Sequence, residues 1–188
     1  MRRKHCDIRR VRGTRPTELN IVAQNAPDGR KVLPKRKQIH LVDYDYSNTN
    51  DVFFVTLCTH DKKPYFQNLQ YAQYIAQEID FRSRVSEEVT VFAWCIMPDH
   101  LHILLKLNEG YGKSLANWVA AFKRYNARIL SMMHEVKPLW QANFYEHVVR
   151  KEESLRAIAE YIANNPVRKN LVKHWQDYPF VKINDAAF

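Results

Sequence analysis

The sequence predicts an α+β domain, a mainly antiparallel sheet with helices packed on one side, behind a basic N-terminal extension. Two observations carry this. Apolar residues alternate between a period of two and a period near 3.6 in the order βα, ββ, α, βα, which fits a two-layer sandwich. The charge is segregated: 12 basic side chains and three acids (Asp7, Glu18, Asp28) fall in residues 1–40, while 41–188 balance at 17 of each. With 188 residues, 46% of them hydrophobic, the chain is large enough to bury a core without disulfide staples.

The domain begins near residue 51 and runs to 188. Val52–Thr59 is β-branched and aromatic and reads as a strand. Asp61–Pro64 turns, and after Asn68 the positions Ala72, Ile75, Ala76 and Ile79 recur at helical spacing. Val89–Met97 is a nearly continuous apolar run, with Thr90 its one polar residue, the pattern of a central strand covered on both faces. Pro98-Asp99 breaks it. In His100–Leu107, Leu101, Ile103, Leu105 and Leu107 point one way, with His100, His102, Leu104 and Lys106 the other. The tight join predicts a hairpin.

Ser114 suits the N-cap of a second helix, buried through Leu115, Trp118, Val119, Phe122, Ile129 and Met133. Lys123, Arg124 and Arg128 lie off that stripe. Phe144–Val149 reads as a short strand. Glu152 and Glu153 then suit the start of a helix whose apolar face is Leu155, Ile158, Ala159 and Ile162, and which Pro166 stops.

Residues 1–50 form the extension. They hold Gly13, Pro16, Pro27, Gly29 and Pro34 as breakers and show little apolar periodicity. Arg9, Arg10, Arg12, Lys35, Arg36 and Lys37 make this segment a candidate polyanion-binding arm, since each phosphate neutralised releases counterions. The plain alternative is a solvated basic tail. The charged start lacks the apolar segment of a secretory signal, and no run is long enough to span a membrane. Cys6, Cys58 and Cys95 are scattered, with no CxxC pair. That pattern excludes a zinc ribbon and fits free thiols in a reducing compartment.

The histidines carry the first chemical signal. Residues i and i+2 of a strand share a face, roughly 6–7 Å apart, so His100 and His102 can clasp one metal ion while Leu101 anchors in the core. The alternative is two half-exposed imidazoles on a polar sheet face. Cys95 and His147 are candidate third ligands, though Cys95 lies in a buried strand and suits packing. Two imidazoles with an oxygen donor suit Mg2+ or Mn2+. Tyr161 and Asn165 stand one helical turn apart, so a carboxamide could ligate a hard ion beside a phenol. The competing reading packs Tyr161 at the core's edge and uses Asn165 as a helix cap.

Three blocks, WCIMPDHLHILL (Trp94–Leu105), LWQANFYEHVVR (Leu139–Arg150) and YIANNPVRKNLV (Tyr161–Val172), followed by WQDYPF (Trp175–Phe180), together resemble the REP-associated tyrosine transposases. These belong to the wider HUH single-tyrosine transposase group. The resemblance covers about residues 50–182. It implies a ferredoxin-like or RRM-like antiparallel sheet backed by helices. It also implies His100, His102 and Asn165 as ligands of Mg2+ or Mn2+, and Tyr161 as nucleophile on single-stranded or hairpin DNA. The product would be a 5′-phosphotyrosine link and a free 3′-OH, on REP-like palindromic repeats. Lys123, Arg124 and Arg128 would contact the DNA backbone. The same resemblance implies a bacterial, cytoplasmic and nucleoid-associated protein without a membrane partner, acting as monomer or homodimer. An extension of about 50 residues is longer than compact members carry, and Asp99 stands where Asn or Glu is also familiar. Tyr125 is the competing nucleophile. Two other functions fit parts of the pattern: a non-catalytic module binding structured DNA or RNA, and a metallohydrolase that uses bound water.

Overall fold

The computed structural model describes residues 44–150 and 153–188. Arg9, Arg10, Arg12, Lys35, Arg36 and Lys37 lie outside the described residues. The elements run β1 (Val52–Cys58), α1 (Leu69–Arg84), β2 (Val89–Met97), β3 (His100–Leu107), α2 (Leu115–His134), β4 (Tyr145–Val149), α3 (Leu155–Ala163), α4 (Asn165–Arg168) and β5 (Val181–Ile183). One sheet takes all five strands in the order β4-β1-β3-β2-β5, and every neighbouring pair is antiparallel. The first four strands with α1 and α2 make the ferredoxin-like β1α1β2β3α2β4 unit, and β5 extends the edge beyond β2.

Alternation along the strands divides the interior in two. Phe53, Val55 and Leu57 of β1 and Leu101, Ile103, Leu105 and Leu107 of β3 join α1 and α2 in the larger core. Trp118, Phe122 and Leu130 of α2 fill it and are fully buried. Cutting one such leucine back to alanine costs about 2–5 kcal/mol. On the opposite face Ala93, Cys95, Met97 and Leu104 meet Ala159 and Ile162 of α3. A break in register between Val91 and Ala93 places Phe92 in this second core too.

The helices therefore cover both faces, not one. The reason lies in β2: its nearly continuous apolar run needs a cover on each side, and α3 supplies the second. β5 was not expected, because three residues at a sheet edge carry no period. Asn68, Ser114 and Ser154 cap α1, α2 and α3, accepting from the amides of Gln70, Asn117 and Ala157. The cap of α3 is thus Ser154, whereas Glu153 bonds His147 and the Arg150 amide. Pro166 ends α3 as expected, but the chain re-enters helix at once as α4, with Pro166 in its first turn.

Residues just before β1 are part of this packing. Tyr44 and Tyr46 lie against the larger core. The Tyr46 hydroxyl donates to Glu146 at 2.8 Å, and its carbonyl accepts from the Leu115 amide at 2.9 Å. Among the described residues no helix is long and apolar enough to cross a membrane.

Candidate metal and nucleophile site

Strand pairing builds the site. Antiparallel register sets Cys58 opposite His100, Thr56 opposite His102 and Phe54 opposite Leu104. On the other side of β3, Met97 faces His100 and Cys95 faces His102. All share the face that α3 partly covers.

Each imidazole is held through Nδ1. Asp99 Oδ1 lies 2.5 Å from His100 Nδ1, and Thr56 Oγ1 lies 2.8 Å from His102 Nδ1. The two Nε2 atoms then face one another at 3.1 Å. Two bare lone pairs at that distance repel, so either a proton or a cation belongs between them. Orientation of ligating histidines by a carboxylate or hydroxyl on the other nitrogen is the usual support of a metal site.

The surroundings keep both rings neutral. Burial lowers His100, partly offset by Asp99, with Lys62 and Lys169 adding to the fall. Burial brings His102 down to about 3, helped by His100, Lys62 and Arg168. A neutral imidazole is the metal-binding form.

Tyr161 and His102 both pack on the Phe54 ring. The Phe54 ring centroid is 5.3 Å from that of His102 and 6.4 Å from that of Tyr161. Tyr161 is 48% exposed. Asn165 is buried, and its Nδ2 donates to the carbonyls of Tyr161 and Ile162 at 3.0 and 3.1 Å. This fixes the carboxamide and leaves Oδ1 as the atom able to ligate. Two imidazoles with facing Nε2 atoms are the donors that the structure brings together here.

The other sequence candidates lie elsewhere or are engaged. Cys95 is fully buried and its thiol is pushed up to about 12 by that burial, so it packs as a small apolar group. His147 shares the sheet face, across from Phe54, but its Nε2 meets Glu153 at 3.0 Å. Among the described residues no group of three His, Cys, Asp or Glu is arranged to hold a metal. Tyr125 is exposed on α2, the helix that packs against the opposite face of the sheet. Lys123 is not a free surface cation. Its ammonium donates to the carbonyls of Gln141, Ala142 and Asn143, and burial lowers its pKa. Arg124 and Arg128 are in no ion pair among the described residues.

Three basic residues at the site were not singled out from the sequence. The Arg168 guanidinium lies over the Tyr161 ring, 4.5 Å from its centroid. Lys169 and Lys62 add positive potential at His100, and Lys62 Nζ also donates to Cys58 Sγ at 3.0 Å. Arg168 and Lys169 sit inside the YIANNPVRKNLV block. Arg168 stands seven residues after Tyr161, a same-face helical spacing, but Pro166 between them reads as the end of the helix.

An open antiparallel sheet carrying a paired-histidine strand, with a tyrosine on a nearby helix, is the arrangement of single-tyrosine transposases. The family model described as "Transposase IS200 like" matches residues 52–165, and the chain belongs to that family. An uncharacterized protein of Haemophilus influenzae is 26% identical over 160 residues, 70% of this chain and 88% of that one. A REP-associated tyrosine transposase of Escherichia coli is 32% identical over 88 residues, 47% of this chain and 50% of that one. The chain therefore spans about half the length of this relative. A solved structure of a REP-associated tyrosine transposase bound to a REP hairpin shares the fold, with a TM-score of 0.57 at 24% identity. That match covers 76% of this chain and 81% of the other. The resemblance to REP-associated tyrosine transposases and the expected α+β architecture are both borne out.

Proposed function

We propose that this protein cleaves and rejoins single-stranded or hairpin DNA through a 5′-phosphotyrosine intermediate at Tyr161, and that its targets are REP-like palindromic repeats. The single observation that supports the reading is that Phe54 packs against both His102, one of the two histidines with facing Nε2 atoms, and the half-exposed Tyr161. His100, His102 and Asn165 would hold Mg2+ or Mn2+. When bound, that ion supplies Lewis-acid polarisation of a non-bridging phosphate oxygen.

The chain's own groups do the rest. Thr56 and Asp99 orient the imidazoles, and the Asn165 amide is anchored on the tyrosine's own carbonyl. Tyr161 Oη forms the bond to phosphorus as the bond from phosphorus to the 3′ oxygen breaks. The phenolic proton leaves to water, and the departing 3′ oxygen takes one up. The ester preserves the phosphoryl linkage, so attack by a 3′-OH reverses the step without a nucleotide cofactor. Arg168, above the phenol ring, and Lys169 and Lys62 beside the histidines supply positive charge where the scissile phosphate would lie. Arg124 and Arg128 would contact backbone phosphates further along, with the basic arm adding sequence-independent affinity. Residues 51–188 would be the catalytic unit and 1–50 the arm.

The test is incubation with a hairpin oligonucleotide and Mn2+. The expected product is a denaturant-resistant protein–DNA band, absent in Tyr161→Phe, and reduced with His100→Ala while most DNA affinity remains. Cleavage without an adduct would instead support water as nucleophile. Binding with neither product would support a non-catalytic module for structured nucleic acid.

A further inference from the structure

We propose that Lys62 is the proton donor to the departing 3′ oxygen in strand cleavage. The role deepens the function proposed above and rests on it.

Displacement at phosphorus sets the attacking and leaving oxygens roughly in line, on opposite sides. Register along β1 supplies two such sides. Tyr161 packs on Phe54. Thr56, two residues on, faces His102, and Cys58, two further, faces His100. The Lys62 ammonium donates to Cys58 Sγ at 3.0 Å. Phe54 and Cys58 stand about 13 Å apart along the strand. Tyr161 and Lys62 thus contact the same strand at opposite ends of the histidine pair. Arg168 stacks on the phenol ring and so belongs to the attacking side.

The loop after β1 fixes Lys62 at its end. Asp61 and Lys62 are consecutive left-handed residues, with φ of 53° and 56°. Residues other than glycine keep that conformation only where their surroundings enforce it. Thr59 is the enforcing residue. It is fully buried, and its hydroxyl lies 2.7 Å from the Lys63 carbonyl and 2.9 Å from the Asp99 carbonyl. Its amide also donates to the Asp99 carbonyl at 2.9 Å. Asp99 orients His100, so one anchor sets both Lys62 and the histidine.

The charges nearby leave the ammonium available. Among the described residues no carboxylate pairs with it: Asp61 lies 3.0 Å from His60, and Asp99 is engaged by His100. A thiol is a weak acceptor, which a phosphate ester oxygen outcompetes. Lys62 also weighs more than Lys169 on His100 and more than Arg168 on His102, so it is the leading cation at the pair.

The step balances as follows. Tyr161 Oη bonds to phosphorus, and the bond to the 3′ oxygen breaks with its electron pair going to that oxygen. The oxygen takes a proton from Lys62 Nζ and departs as the 3′-OH. Lys62 is left as the neutral amine and regains a proton from water. In rejoining, the amine accepts the proton of the attacking 3′-OH.

The test uses the full chain with Mn2+ and two hairpin oligonucleotides, in single turnover at saturating protein. One carries the natural 3′ oxygen at the bond that the wild type cuts, and the other carries sulfur in its place. A thiolate leaves without a proton and needs no donor. Lys62→Met is expected to slow scission of the oxygen substrate by about 100-fold or more, and of the sulfur substrate by about threefold or less. Lys62→Arg keeps the charge but holds its proton, and is expected to show the same contrast. Equal losses on both substrates would overturn the proposal, because Lys62 would then supply charge alone. Unchanged rates on both would overturn it as well. Scission is read on gels independently of the adduct. A Tyr161→Phe protein that still cuts would therefore refute the tyrosine with the Lys62 contrast still measured, and no scission of either substrate by wild type would end both.

Discussion

The guanidinium of Arg168 lies 4.5 Å from the ring centroid of Tyr161, while the same residue adds positive potential at His102. One side chain thus touches the Tyr161 ring and biases the histidine pair. A cation on an aromatic face is worth about 0.5–1 kcal/mol at an exposed position, and more once a phosphate displaces water. Arg168→Ala is expected to slow adduct formation by about tenfold or more. Arg168→Lys should recover part of the rate through charge alone, because the planar stack is lost. Single-turnover rates with a hairpin substrate measure both.

Thr56→Val keeps the shape of the strand and removes the hydroxyl 2.8 Å from His102 Nδ1. The ring then loses its orienting partner, and loss of such support costs about 10–100-fold in metal affinity. The Mn2+ concentration for half-maximal adduct should rise in that range, with metal-free DNA affinity unchanged. An unaltered Mn2+ requirement would separate Thr56 from the metal site.

His102, near 3 in the folded chain against an ordinary 6.5, makes stability depend on pH. The unfolded chain binds the proton more readily, so stability is full above about 6.5 and declines as pH falls toward 3. His100 is lowered as well and acts in the same direction. Urea unfolding of the metal-free protein is expected to show a lower midpoint at pH 5 than at pH 7. His102→Gln should flatten that dependence.

Arg82 binds two carboxylates at once, Glu78 at 2.6 Å and Glu88 at 2.8 Å, with Glu78 buried at the edge of the larger core. Burial raises the Glu78 carboxyl even against the pull of Arg82. Arg82→Ala strands that charge and is expected to destabilise the fold by about 3–5 kcal/mol, whereas Glu78→Gln should cost less. Chemical denaturation of the two variants decides the order.

Lys123 and its neighbours on α2 should behave differently despite their shared charge. Lys123→Met removes the donor to three carbonyls of the 141–143 segment and should lower stability with little change in the salt dependence of DNA binding. Arg124→Ala and Arg128→Ala should each reduce the slope of log affinity against log salt by about 1.

These differences mark what the sequence could disclose. Alternation in His100–Leu107 set the two histidines on one face, and the structure has them there with facing nitrogens. The nearly continuous run of β2 demanded a cover on each side, yet period alone did not reveal that α3 was the second cover. Thr56, Phe54 and Arg168 escaped notice because their roles depend on cross-strand register and on the kink at Pro166. Cross-strand register is not encoded in local spacing, and the expected helix stop at Pro166 hid the seven-residue spacing of Tyr161 and Arg168. Lys123 looked like its neighbours Arg124 and Arg128, since a stripe of charges on a helix does not say which ammonium folds back onto a carbonyl.

The most direct measurement is mass spectrometry of the covalent adduct after nuclease and trypsin digestion. The proposed chemistry predicts a nucleotide mass on the peptide spanning residues 157–168, which contains Tyr161 as its single tyrosine. An adduct on the peptide bearing Tyr125, or cleaved DNA with no protein-linked nucleotide, would contradict it.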